Sequence, residues 1–420
     1  LKRRLKHFIE QNGLDYPILY LTVLLIIATL IFQNRALFIG YIFGLFLTLY
    51  ISRGSARKTR TLILIFLSLI ASSVSIAFLF KTDSTEGRLL IYKLSSKILS
   101  ENFPKGIGLN NFDVAYGNAQ IDYFKSGHYS QKEFMLADNI IHVYNDYLEL
   151  IIELGWIGLV LILTFLISIG FLVNNALKNN VKSPILLFIA CVQIIAISIA
   201  SLFTFMIYQV HWQCVLLISF LIVIYFNGYL RLKPVLILGV ILTGSLMAYH
   251  FGRYIVFKND YGKAAEALSL SKGGYFDDAN KLYKEVYPNL KYDNAITASY
   301  IQCLMDNEEF EEAEELLANL LQRNNSSVNY DLLGNCYEKQ HKIKLAETAY
   351  LNSIYKAPNR FVGRFHLFLL YQNTNQSKKA KRIGMEILKM PVKVPSNTIE
   401  YFKATVKSEL RKSDMLNKKA

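Results

Sequence analysis

Leu148-Glu-Leu-Ile-Ile-Glu-Leu-Gly155-Trp-Ile-Gly158-Leu-Val-Leu-Ile-Leu-Thr-Phe-Leu-Ile-Ser-Ile-Gly-Phe-Leu-Val173 decides the fold class. It is apolar almost throughout, and a helix needs about 20 such residues to cross a bilayer. Working outward, further runs of the same kind predict seven spans, near 16–32, 36–51, 61–80, 148–173, 184–208, 212–228 and 234–250. After residue 250 the pattern stops, and 258–420 has ordinary soluble composition. The expected fold is all-α. A polytopic transmembrane helical bundle occupies 1–255, with an external loop at 81–147, and a soluble helical domain occupies 256–420.

This division explains a mixed composition. Of 420 residues, 53% are hydrophobic and only 19% charged, where soluble domains carry about 25% charge. Mean hydropathy is nevertheless only +0.27. A single globular enzyme, a disordered chain and a secreted disulfide scaffold are excluded. Cys191, Cys214, Cys303 and Cys336 lack metal-ligand spacing and read as small core residues. The first apolar run has no small-residue cleavage site, so no cleavable signal peptide is expected. The chain begins at Leu1 rather than Met, which leaves open further sequence ahead of it.

The net charge of +14 is mostly a topology signal. Lys2, Arg3, Arg4 and Lys6, then Arg53, Arg57, Lys58 and Arg60, then Lys178 and Lys182, then Arg231 and Lys233 fall in alternate loops. Basic loops stay in the cytoplasm. Gln33–Arg35, 81–147, 209–211 and everything after 250 are then expected outside. The basic tail at 407–419 reads as solvated, and no nucleic-acid partner is expected.

Residues 264–392 repeat with spacings of 34, 33 and 34, marked by Ala279, Ala313, Ala346 and Ala380. The third unit has Leu333-Gly334-x-x-Tyr337, then Ala346, Tyr350 and Pro358. This order resembles the tetratricopeptide repeat (TPR). Small Gly and Ala let antiparallel helices approach, aromatics fill the gap beside them, and proline ends the second helix. The resemblance implies a TPR α-solenoid, a capping helix near 397–411, and a concave surface for a protein partner.

The 81–147 loop is too long for a plain connector. Tyr92, Phe103, Phe112, Tyr116, Tyr123, Phe124, Tyr129, Phe134, Tyr144 and Tyr147 predict an ordered cap against the membrane face. Gly106-x-Gly108 permits tight backbone geometry, without the context of a nucleotide fingerprint. The stretch Phe103-Pro-Lys-Gly106-Ile-Gly108-Leu-Asn-Asn-Phe112 with Tyr116 and Gln120 resembles the loop of O-antigen ligases and polymerases. So does the closing segment His142-Val-Tyr-Asn145, nine residues, Gly155-x-x-Gly158. The resemblance covers roughly 30–230. Tyr144 stands where that family has histidine, and His142 lies two residues earlier. Gln33-Asn34-Arg35-Ala36 resembles the family's Ser-Arg motif, and Arg88 the arginine that opens the large loop.

The resemblance implies a GT-C-type bacterial inner-membrane protein with its loop and repeats in the periplasm. It implies transfer of a glycan from polyprenyl (undecaprenyl) diphosphate to a hydroxyl on a glycan, lipid or protein acceptor, as in lipopolysaccharide assembly. Arg35 and Arg88 would hold the diphosphate, since guanidinium groups pair with phosphate oxygens. His142 would be the base, Asn145 would orient the acceptor or the loop, and Asp138 or Glu149 would be fallback bases. No cofactor and no metal are expected.

Plainer readings stand beside these. Arg35 marks a membrane boundary, Arg88 pairs with Glu86 or Asp83, and His142 is a surface residue. His128 and His211 are structural, with His211 an alternative sugar-site residue. Asn145 is an N-cap, Glu149 and Glu153 are N-terminal helix carboxylates, and Gly155 and Gly158 permit helix packing. The rival function is a non-catalytic, membrane-anchored TPR scaffold for surface-polysaccharide assembly. A transporter is disfavoured by the near absence of charge within the spans.

Overall fold

A computed structural model describes residues 35–53, 82–179, 185–228 and 232–417. The expected spans at 16–32 and 61–80 lie outside the described residues, as do most of the first two basic clusters. The described residues form helices and their connections, with no strand among them.

The chain divides into two compact units. One comprises Leu1–Thr82, Asn102–Gly106 and His142–Gly252. The other comprises Asp83–Glu101, Ile107–Ile141 and Arg253–Ala420. Packing therefore groups most of the external loop with the C-terminal helices, whereas hydropathy alone draws one boundary at 255.

In the first unit, α1 (Arg35–Arg53) opens the described chain. Next come α5 (Asp146–Leu154), α6 (Trp156–Asn179), α7 (Ile185–Ala200) and α8 (Val210–Phe226). By length and apolarity α6 suffices to cross a membrane, and Ala36–Ser52, α7 and α8 are shorter apolar helices. The run at 148–173 is thus two helices, with the long apolar one starting at Trp156. The runs expected at 36–51 and 212–228 correspond to α1 and α8, whereas the run expected at 184–208 is helical only as far as Ala200, where α7 gives way to turns.

Small residues bring α1 onto α7. A Cβ on Gly40 would overlap the Ala196 carbonyl oxygen, and one on Gly44 would lie 2.6 Å from the Val192 oxygen. Without side chains between them the backbones meet directly, the usual device where lipid removes the hydrophobic drive for helix pairing. Leu37, Tyr41, Val192 and Ala196 are buried around this contact.

The second unit begins with α2 (Thr82–Asn102), α3 (Phe112–Lys125) and α4 (Gln131–Leu136) from the loop. The helix α9 (Leu232–Lys272) includes the run expected at 234–250; its residues up to Gly252 belong to the first unit and those from Arg253 to the second. It leads to α10 (Phe276–Leu290), α11 (Asn294–Asp306), α12 (Phe310–Leu321) and α13 (Ser327–Lys339). These are followed by α14 (Ile343–Lys356), α15 (Val362–Asn373), α16 (Ser377–Lys389) and α17 (Asn397–Asn417). From α10 onward each helix packs on the next. The four period-marking alanines are all buried. Gly334 faces the Tyr350 ring, whose atoms would lie 2.5 Å from an added Cβ.

Substituting Gly40 with Ala is expected to destabilise the first unit by roughly 1–3 kcal/mol, the usual cost of overpacking. Gly170→Ala, with nothing within 4 Å of its added Cβ, is the neutral control, and thermal unfolding of the detergent-extracted protein measures both.

Candidate functional site

Three glycines of the loop and its closing segment let backbone lie against backbone. Gly155 caps α5 with φ 61°, a left-handed value that favours glycine. A Cβ there would overlap the Pro104 oxygen, and the neighbouring Trp156 amide donates to that same oxygen at 3.0 Å. Gly106, at φ 80°, faces the Glu153 oxygen and lies 2.6 Å, as an added Cβ, from the Gly155 nitrogen. Gly158 faces the Leu150 oxygen, so α5 turns back against the start of α6. Gly155 is therefore a chain reversal, where periodicity predicts a glycine within one packed span. Gly108 (φ 90°) belongs to the other unit and packs near the Asn111 amide.

The polar N-terminus of α5 is tied down by its own set of hydrogen bonds. Asn145 is its N-cap, with the side-chain oxygen accepting from the Leu148 amide at 3.0 Å. Glu149 is buried in the first turn. Its Oε2 accepts from the Val143 amide at 2.9 Å, and its Oε1 lies 2.8 Å from His142 Nδ1. With both carboxylate oxygens accepting, the imidazole proton is assigned to Nδ1 and the lone pair to Nε2. His142 keeps 23% of its side chain exposed, against 3% for Glu149. The histidine is thus anchored on one edge and open on the other. Phe205 and Tyr208 flank its ring at centroid distances of 5.0 and 4.2 Å. Tyr144 sits at φ 59° and meets Phe205 edge-on at 5.5 Å.

Asp146 fixes the segment that carries those rings. Its Oδ2 accepts from the Met206 and Ile207 amides at 2.8 and 3.2 Å, and its own amide donates to the Ser201 oxygen at 2.9 Å. Tyr147 adds a bond from its hydroxyl to the Ser198 oxygen at 2.7 Å. Burial pushes the Asp146 carboxyl up to about 6, against the lowering effect of Ser201 and the two amides.

The other expected site residues are not among these described contacts. Arg35 is the first residue of α1; its side chain, with Gln33 and Asn34, lies outside the described residues. Arg88 is half-buried on α2 in the second unit. Asp138 pairs with Arg360 at 2.7 Å. His211 lies on α8 with its ring tilted against Trp212, centroids 4.9 Å apart. Among the described residues no group of three or more His, Cys, Asp or Glu side chains has metal-binding geometry. Sequence reasoning named His142 and Glu149 separately and missed their pairing. The seven-residue spacing across a loop-to-helix junction gives no periodic signal.

The raised Asp146 pKa carries a definite sign. The folded chain takes up this proton at a higher pH than the unfolded chain does, so stability rises as pH falls from about 6 to about 4. Asp146→Asn is expected to remove that rise, on the order of 1–3 kcal/mol, from pH-dependent unfolding curves.

No curated protein matches the chain. Residues 20–163, about a third of the sequence, match the Wzy_C family model, described as O-antigen ligase. That stretch takes in Arg35, Arg88, the loop glycines, the His142–Glu149 pair, Gly155 and Gly158. Over those residues the chain is similar to the O-antigen ligase family, a membrane-embedded family of polysaccharide assembly.

Proposed function

We propose that the chain is a membrane glycosyltransferase that moves a polyprenyl-diphosphate-linked glycan to an acceptor hydroxyl on the periplasmic face of the bacterial inner membrane. The observation that carries this reading is the His142–Glu149 pair at the loop-to-helix junction, inside the matched residues. The acceptor oxygen attacks the anomeric carbon, its proton passes to His142 Nε2, and the bond from that carbon to the diphosphate breaks. Glu149 holds the imidazole in the tautomer that accepts at Nε2 and stabilises the imidazolium that forms. The leaving diphosphate is assigned to Arg35 and Arg88, which stay charged and bind phosphate oxygens through paired hydrogen bonds.

His142 takes the role that the motif histidine has in the resembling family, two residues from Tyr144. Asn145 shapes the junction, because its oxygen is already engaged in the cap. The C-terminal period supports a TPR solenoid, with its helix-to-helix packing and buried alanines in keeping with that form.

Transfer from a lipid-linked glycan to a hydroxyl acceptor, in detergent or in membranes, tests the reading. His142→Ala is expected to lower kcat by about 10²–10⁴-fold, the usual contribution of a general base, in protein that still folds and reaches its normal level. Glu149→Gln is expected to lower it less and to shift its pH profile. Arg88→Ala is expected to abolish surface glycan at normal protein level. Wild-type transfer in His142→Ala would reject the base assignment, and no transfer by wild type with any acceptor would favour the scaffold.

A further inference from the structure

The external loop and the C-terminal helices complete one another's helix ends. A helix leaves orphan amides at its start and orphan carbonyls at its end. The six-residue α4 is too short to stand alone. The Asn359 amide nitrogen donates to the oxygens of Met135 and Ala137 at its end, both at 2.8 Å. In return, loop residues finish the C-terminal helices. Asn139 accepts from the Ser327 amide at the start of α13 at 3.0 Å and donates to the Ser327 hydroxyl at 3.2 Å. Gln120, fully buried, donates to the Lys356 oxygen at the end of α14 and to the Asp138 oxygen at 3.1 Å.

Packing follows the same seam. Phe134 sits in the hydrophobic cluster of Tyr350, Ile354, Phe365 and Phe368. The buried Lys356 ammonium lies 5.5 Å from the centre of the Tyr116 ring. Gly117 on α3 faces Asn325, whose side chain an added Cβ would overlap. Asn325 also donates to the Asn118 side-chain oxygen at 2.9 Å. Arg360 meets Asp138 at 2.7 Å. The polar contacts come from the start of α13 and the end of α14 with their adjoining turns, and Phe134 packs on α14 and α15, so one edge of the helix array is committed to the loop.

We propose that the C-terminal helices act in cis as the support of the external loop, with Asn325, Asn359 and Arg360 as positioning residues for residues 112–141. The effect on catalysis rests on the glycosyltransferase reading above; the holding of the loop does not. The segment so held runs in sequence directly into the His142 motif. A released loop would leave the Met135 and Ala137 carbonyls at the end of α4 without their Asn359 donor and expose Tyr116 and Phe134.

Hydrogen exchange on the full chain in detergent, with glycan transfer on the same samples, tests this. Gly117→Ala strikes from the loop side and Asn359→Ala from the helix side. Each is expected to speed amide exchange over 112–137 at least tenfold while leaving Asn294–Leu321 unchanged. Each is also expected to lower kcat for transfer in proportion. Exchange at the wild-type rate in both single variants overturns the proposal. Faster exchange with undiminished kcat overturns the positioning role. If the wild type transfers no glycan, the functional reading fails while the exchange result still decides whether the loop is held.

Discussion

Backbone lying directly on backbone is the constraint from which the candidate site follows. At Gly155 the chain must turn with a left-handed φ while passing the Pro104 carbonyl, and only a residue without Cβ satisfies both conditions. Gly106 allows the approach from the other side, and Gly158 lets α5 lie against α6. The long apolar helix is thereby separated from a short amphipathic one. The polar start of α5, with Asn145, Asp146 and Glu149, becomes a junction with its own contacts. A side chain at any of the three glycines would push apart the segments that hold His142.

The two buried carboxylates of that junction do different work because they meet different donors. Asp146 accepts from two backbone amides and so fixes the turn before α8 that carries Phe205 and Tyr208. Glu149 accepts from one amide and one imidazole and so fixes His142. One carboxylate builds the wall and the other sets the histidine against it. Both lie in the first turn of a helix, where negative charge is favoured by the macrodipole.

How much of this was legible in the sequence depended on whether the signal was local. The alanine period gave the C-terminal helices, and the asparagine before an apolar run gave the α5 cap, because both are short-range patterns. Hydropathy ran through Gly155 without a break, since Glu149 and Glu153 are the only charges near it, so the reversal was invisible to it. The glycine pair Gly40 and Gly44 was a local signal that went unread; it marks the α1–α7 contact. The loop aromatics pointed to burial against the membrane face, and Phe134 and Tyr116 are buried instead against the C-terminal helices. Phe134 and Tyr116 meet residues more than 200 positions away, and no window of sequence contains both partners.

The shared helix ends have a consequence for descent. An appended array of helices is ordinarily gained, lost or exchanged as a module, because its contacts are internal. Here α13 and α14 are capped by Asn139 and Gln120, and α4 by Asn359. A lineage that traded these helices for a foreign set would inherit a loop with unmatched carbonyls and an uncovered Phe134. The external loop and the C-terminal half are therefore bound to evolve as one heritable piece, although about 110 residues of sequence separate them.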